Sequence, residues 1–283
     1  MKIFDLYKNC SSLLRENNIE DYDFEARLIT ENACGIDHGN FLLERYREAS
    51  AEEIDKAFND VKLRISGIPV QYIIGKWEFM GLEFSVGEGV LIPRPETEEL
   101  CEFIIDKIKD NEKTVVFDLC SGTGCIGLSL KHFCKNADLY MVEKSDEALK
   151  YLEKNRSYLG FARNTVCVKG DILKGYEDGF SFLPKPDVIV SNPPYIRASE
   201  IPDLQKEVLK EPLMALDGGE DGFIFYRCLS EKWLPYINEG GFIAVECGEG
   251  QAEEIASMFL EHATETQIIK DVYGTDRLVV AYK

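Results

Sequence analysis

Val115-Val116-Phe117-Asp118-Leu119-Cys120-Ser121-Gly122-Thr123-Gly124-Cys125-Ile126-Gly127 is the stretch on which the reading of the fold turns. A short apolar, β-branched run passes through an acid into a glycine-rich loop, as a buried parallel strand does where it hands over to a helix. Glycines let the backbone turn tightly there and approach a ligand lying against the helix N-terminus. Gly122, Gly124 and Gly127 satisfy G-x-G-x-x-G, and Glu143 follows where an acid, about 20 residues on, takes ribose hydroxyls.

Outward from this stretch, short apolar runs alternate with amphipathic segments from Thr114 onward. That alternation marks a parallel sheet covered by helices on both faces. Strands are expected at Val115 to Leu119, Leu139 to Glu143, Val166 to Lys169, Val188 to Ser191, Phe242 to Glu246, Gln267 to Lys270 and Leu278 to Ala281. Only Asp271-Val272-Tyr273-Gly274-Thr275-Asp276 separates the last two, too little for a helical crossover, so they should form an antiparallel hairpin. The expected fold class is α/β: a seven-stranded, doubly wound, mostly parallel sheet with a C-terminal antiparallel hairpin.

Upstream, apolar residues recur at helical spacing from Lys2 to about Gly67: Ile3, Leu6, Tyr7 and Cys10, then Phe24, Leu28 and Ile29, then Ile54, Ala57, Phe58 and Val61. Ser50 before Ala-Glu-Glu reads as an N-cap, and Gly67 with Pro69 as a stop. Tyr72-Ile73-Ile74 and Glu83-Phe84-Ser85-Val86, set among glycines, suggest a β-hairpin. Pro93-Arg94-Pro95-Glu96-Thr97-Glu98 then opens a helix to about Lys109. The expected division is a small N-terminal helical domain over 1–69, a hairpin linker over 70–94 and the sheet domain over 95–283.

Ligands of open α/β sheets bind beyond the carboxyl ends of the strands. Four of these ends are polar in succession: Asp118, Glu143, Asp171 and Asn192, spaced 25, 28 and 21 residues apart, one strand-helix-strand step each. The glycine pattern fits a nicotinamide cofactor or S-adenosylmethionine. Asp118 favours the second, because an acid beside the loop repels a pyrophosphate and suits ammonium and sulfonium cations. The expected cofactor contacts are Asp118, Cys120, Ser121, Gly122, Thr123, Gly124, Glu143 and Asn192, with Asp171 or the Ile172 backbone at an adenine edge.

The sharpest signal is Ser191-Asn192-Pro193-Pro194-Tyr195-Ile196, directly after the apolar run Val188 to Val190. Two prolines fix φ and lack N–H donors, so the loop offers acceptors: the Asn192 side-chain carbonyl and the Pro193 backbone carbonyl. Such a site selects an NH2 group. Gripping both hydrogens of a planar amide draws its nitrogen toward tetrahedral form and aims its lone pair at a methyl donor. Tyr195 can lie against the amide plane and near a sulfonium. Asn192 and Tyr195 are therefore the catalytic candidates, and Asn192, Pro193, Pro194 and Tyr195 the substrate contacts. The chemistry calls for no strong base, since the methylated nitrogen becomes acidic and sheds its proton afterwards.

Composition bounds the rest. Hydrophobic residues make up 45% of 283 and charged residues 29%, a soluble globular balance. No run approaches the roughly 18 apolar residues of a membrane helix, and no secretory leader is evident, so a cytoplasmic, membrane-free protein is expected. Nine scattered cysteines and three dispersed histidines suggest reduced thiols and no metal site. With 32 Lys and Arg against 51 Asp and Glu, the net charge of -19 repels nucleic acid and suits a basic protein partner.

The sequence resembles the glutamine methyltransferases that modify peptide chain release factors. The resemblance rests on Pro69-Val70-Gln71-Tyr72-Ile73-Ile74-Gly75, Leu91-Ile92-Pro93-Arg94-Pro95-Glu96-Thr97-Glu98, the loop from Asp118 to Gly127, Asn192-Pro193-Pro194-Tyr195-Ile196, Glu211-Pro212 with Ala215-Leu216, and Gly274 with Arg277. It implies a methyltransferase sheet and transfer of methyl from S-adenosylmethionine to the glutamine side-chain nitrogen of the release factors' Gly-Gly-Gln motif. It also implies that the glycine loop and the acid after the second strand hold the cofactor, that the Asn-Pro-Pro-Tyr loop holds glutamine and that the helical N-terminal domain docks the partner. A monomer acting on release factors without direct nucleic-acid contact is expected. Cys120 stands where this family usually has glycine, and Glu143 where aspartate is common. Three other readings stay open at this point: methylation of an adenine amine in DNA, a nicotinamide oxidoreductase, and a non-catalytic binding protein.

Overall fold

The computed structural model describes residues 1–111 and 113–283. The chain divides into two compact units, one of residues 1–76 with 205–210 and one of residues 77–204 with 211–283.

The first unit is helical: α1 (Ile3–Glu16), α2 (Tyr22–Cys34), α3 (Phe41–Glu44), α4 (Ala51–Ile65) and α5 (Val70–Ile74). The stripe Ile3, Leu6, Cys10 and Leu14 is buried along α1, as the helical period requires. Ser50 caps α4 through a reciprocal box with Glu53, which satisfies two otherwise orphaned backbone donors. Residues 205–210 join this unit through Arg64, whose Nε donates to Glu25 Oε2 and whose Nη2 donates to Glu207 Oε1, both at 2.6 Å. The expected hairpin over 70–94 begins later than the sequence suggests, because residues 70–74 are helical. Pro69 sets the entry, and Val70 and Ile74, four residues apart, both face the helical core.

The second unit opens with the hairpin β1 (Lys76–Phe79) and β2 (Leu82–Ser85), followed by α6 (Glu96–Ile108). There follow β3 (Thr114–Leu119), α7 (Cys125–Phe133), β4 (Ala137–Glu143), α8 (Asp146–Tyr158), β5 (Thr165–Lys169), α9 (Tyr176–Phe180) and β6 (Val188–Ser191). The chain ends with α10 (Ile224–Lys232), β7 (Phe242–Glu246), α11 (Ala252–Leu260), β8 (Glu265–Lys270) and β9 (Asp276–Tyr282). All seven expected strands form one sheet in the order β5-β4-β3-β6-β7-β9-β8. The first five are mutually parallel, and β9 runs antiparallel between β7 and β8.

Alternating residues send their side chains to opposite faces. Val116, Val188, Val190 and Ala244 pack toward Leu100, Ile104 and Leu128. Phe117, Ile189, Ile243 and Val245 pack toward Tyr226, Trp233, Ile255 and Phe259. Both faces are thus covered, which explains why the strands read as continuous apolar runs. The chain leaves β3 for β4 on one side and comes back to β6 on the other, so a crevice opens at the carboxyl end of β3, where doubly wound sheets bind ligands.

Candidate active site

A cleft with ≈ 970 Å³ of empty space, its open mouth included, lies at that crevice. Its walls are residues 89–94 and Thr97 on one side, the loop 120–123 with Cys125 and Ile126 below, and the ends of β4, β5 and β6 beyond. Of the expected site residues, Cys120, Ser121, Gly122, Thr123, Glu143, Asp171, Ile172, Asn192 and Pro194 line it. Gly124 stands just behind, at φ +79, where an added Cβ would fall 2.3 Å from Leu152 Cδ1. Cys120 itself has φ +63, the left-handed region in which glycine carries no strain.

The four polar strand ends are not quite level. Leu119 pairs with Val142 and with Ser191, so Glu143 and Asn192 each follow that rung while Asp118 precedes it. Asp118 is fully buried under the loop instead of standing on the cleft wall. Its Oδ2 accepts the Gly127 N–H at 3.0 Å, and its Oδ1 has no partner. Burial, partly offset by that N–H, pushes its carboxyl up to about 7. A Cβ on Gly127 would sit 2.8 Å from Asp118 Oδ2, so glycine is what lets the acid reach the first turn of α7.

Glu143 fastens the loop from the other side. Its Oε2 accepts the Gly122 N–H at 2.8 Å, and its Oε1 accepts the N–H groups of Lys144 at 2.8 Å and Ser145 at 2.7 Å. A carboxylate offers about four acceptor sites, so one remains for a hydroxyl in the cleft. Asp171 accepts the Leu173 N–H at 3.0 Å and pairs with Lys144 at 2.8 Å. Burial works to raise its carboxyl, but Lys144 and the N–H hold it below the usual range. The Ile172 carbonyl is already taken by Trp233 Nε1 at 2.9 Å.

The Asn-Pro-Pro-Tyr loop faces the same cleft through Asn192 and Pro194, while Pro193 is buried and Tyr195 half-buried off the wall. Asn192 Nδ2 donates to Thr97 Oγ1 at 3.1 Å, and Thr97 Oγ1 donates to Glu246 Oε2 at 2.6 Å. The Tyr195 carbonyl accepts from Gln251 Nε2 at 3.1 Å, and the loop leaves through a bridge of Ile196 with Asp217. Burial, then the Glu246 charge, drives the Tyr195 phenol well above its ordinary value, so it stays neutral.

The sequence does not show the roles of Thr97 and Glu246, nor that the turn-rich stretches around Arg94 and Glu211 pair with each other across the rim. Glu211, buried, accepts the Ile92 N–H on Oε2 at 2.9 Å and pairs with Arg94 Nη2 through Oε1. This joins residues 91–94 to the Pro212, Met214 and Ala215 side of the cleft. Among the described residues no group of three or more His, Cys, Asp or Glu is arranged to hold a metal ion, and no helix is long and apolar enough to cross a membrane.

The fold recurs in solved methyltransferases. A T. thermophilus 16S rRNA methyltransferase in complex with AdoMet and guanosine matches with a TM-score of 0.53 at 16% identity, over 74% of this chain and 49% of that one. The hMettl16 catalytic domain matches with a TM-score of 0.56 at 12% identity, over 81% of each chain. Residues 5–75 match the PrmC N-terminal domain, and residues 96–228 match the methyltransferase small domain. Release factor glutamine methyltransferases from Clostridium acetobutylicum (36% identical, over 100% of this chain and 99% of that one) and Aquifex aeolicus (33%, over 100% and 99%) align end to end. The homologue of the same name from Caulobacter vibrioides is 33% identical over 95% of this chain and 92% of its own. A rigid acceptor loop beside a glycine turn, with likeness of this extent, places the chain in one group: it belongs to the release factor glutamine methyltransferase family.

Proposed function

We propose that this chain methylates the side-chain amide nitrogen of a release-factor glutamine, the one in the Gly-Gly-Gln motif, using S-adenosylmethionine. The observation that carries the reading is the opening of the glycine loop and Asn192 into one cleft. The residues present fit the cofactor. Gly122 and Thr123 leave room for a ligand backbone, Glu143 keeps an acceptor site for a ribose hydroxyl, and Val142, Ala148 and Ile172 offer an apolar wall for a base. Asp118 acts from beneath by holding Gly127 and adds a nearby acid to a site for cations. Bound S-adenosylmethionine supplies an electrophilic methyl on a sulfonium, whose bonding electrons return to sulfur when nitrogen takes the methyl.

The chain's own residues do the orienting. Asn192 Oδ1 and the Pro193 carbonyl accept the two amide hydrogens, so the nitrogen lone pair turns away from its carbonyl and toward the methyl. Tyr195, neutral and wedged beside the loop, keeps that grip rigid. The proton leaves the methylated nitrogen for water, and no side chain has to hold it as a base.

The helical unit serves to dock the release factor, and the -19 charge suits a basic protein surface and disfavours direct nucleic-acid binding. The protein acts as a monomer in the cytoplasm. Labelled S-adenosylmethionine offered together with unmodified release factor and unmodified DNA tests the substrate. Label is expected on the release-factor glutamine, and label on DNA alone would overturn the assignment.

A further inference from the structure

Thr97 Oγ1 carries one hydrogen, and it is spent on Glu246 Oε2 at 2.6 Å. Toward Asn192 the same oxygen can only accept, which it does from Nδ2 at 3.1 Å. Thr97 and Glu246 are each only 2% exposed, so water does not compete for these bonds. The planar Asn192 amide therefore has its nitrogen end turned into the protein, and among the described residues no donor takes its oxygen.

We propose that Thr97 and Glu246 are positioning residues that fix which end of the Asn192 amide faces the substrate. This rests on the reading above, in which Asn192 Oδ1 grips the substrate NH2. An asparagine side chain is nearly symmetric in shape, and either end fits the same space. Ionised Glu246 can only accept, so Thr97 must donate to it and Asn192 must present oxygen to the cleft. A protonated Glu246 donates to Thr97 instead. The Thr97 hydrogen then points at Asn192, the amide turns over, and an NH2 meets the cleft. That end pairs with a glutamine carbonyl rather than its nitrogen, which still binds substrate but aims the wrong atom.

The switch lies in an accessible pH range. Burial raises Glu246 to about 7, against the lowering effects of the Thr97 hydroxyl, the Arg277 charge and a weaker direct hydrogen bond from the Asn192 amide, so the ionised acid draws the NH2 end inward both through Thr97 and by itself. The groups facing it are Arg277 on β9, Glu96 and Cys101 on α6, Cys125 on α7, Tyr195 beyond β6, Tyr226 on α10 and the adjacent Cys247. Arg277 is the one cation among these and favours the ionised form.

The test is steady-state methylation of release factor by the full chain at saturating S-adenosylmethionine, from pH 5.5 to 9, with cofactor affinity measured alongside. The wild type is expected to lose kcat below about pH 7, roughly tenfold per pH unit, with KM for the release factor little changed. Thr97→Val should lower kcat by about a hundredfold, the usual size for one misplaced oriented group, while Thr97→Ser recovers most of it. Glu246→Gln, which can donate or accept, should lower kcat and abolish the acid limb. Wild-type kcat and pH profile in Thr97→Val and Glu246→Gln, with Asn192→Ala inactive, would overturn the relay and leave the grip intact. An acid limb that persists in Glu246→Gln and also in the Glu246→Gln, Asp118→Asn double variant, in which both groups raised to about 7 are gone, would overturn it as well. Full activity in Asn192→Ala would instead remove the reading on which the relay rests.

Discussion

Glu143 Oε2 accepts the Gly122 N–H at 2.8 Å, across 21 residues of chain, and so ties the glycine loop to the start of α8. Bonds to a charged acceptor contribute about 1.5–3 kcal/mol each. Glu143→Ala removes three of them together with the free acceptor site. The dissociation constant for S-adenosylmethionine is expected to rise by roughly 10- to 100-fold, as read by titration calorimetry; an unchanged constant would show that this acid does not shape the cofactor half of the cleft.

Gly127→Ala drives a Cβ to 2.8 Å from Asp118 Oδ2 and 3.0 Å from Met141 Cγ. Neither neighbour can yield, since both lie in the sheet core. Overpacking of this kind costs about 1–3 kcal/mol, or roughly 3–10 °C in melting temperature for a unit of this size. Thermal melting of the variant with wild-type stability would contradict the crowding.

Asp118 titrates at about 7 in the fold against 3.8 ordinarily. Between these values the folded chain holds a proton that the unfolded chain has released. Its contribution to stability is therefore complete below about pH 4 and is lost as the pH rises through 7, by at most about 1.4 kcal/mol per pH unit. Asp118→Asn keeps an oxygen for Gly127 and removes the titration. Urea unfolding at pH 5.5 and 8 should show a smaller loss of stability in the variant than in the wild type; Glu246, raised in the same direction, keeps the remaining slope from vanishing. Equal slopes would mean that Asp118 is ionised throughout.

Arg64 is 5% exposed and bonds two carboxylates, Glu25 and Glu207. Its loss strands the carboxylate of Glu25, already raised by burial. Arg64→Ala should destabilise the chain by about 3–5 kcal/mol, and adding Glu25→Gln should restore part of this. Denaturation curves of the single and double variants decide it, and a double variant no better than the single would reject the account.

The sheet was legible because its strands are buried on both faces and so appear as bare apolar runs between glycines and acids. Residues 70–74 were not, because a five-residue apolar run carries no period long enough to separate a turn of helix from a strand, and only the packing of Val70 and Ile74 decides. The rule that read Asp118, Glu143, Asp171 and Asn192 off strand ends also fits Glu246, the last residue of β7. Thr97 stands inside the Pro93–Glu98 segment, but its role is not legible there, because it lies in one hydroxyl that accepts from a residue 95 positions away and donates to another 149 positions away. Asp118, expected among the cofactor contacts, lies beneath the loop, and spacing cannot show this because it counts strands without revealing the one-rung offset in register.

Glu211 fixes the width of the doorway. With one oxygen on the Ile92 N–H and the other on Arg94, it staples two stretches more than a hundred residues apart. Removing Arg94 would leave that buried carboxylate short of its cation, a loss of the kind that costs several kcal/mol where both charges are buried and less here, where Arg94 is a third exposed. Residues 91–94 and the Glu211–Ala215 stretch therefore bound the cleft as one braced edge rather than as two independent loops.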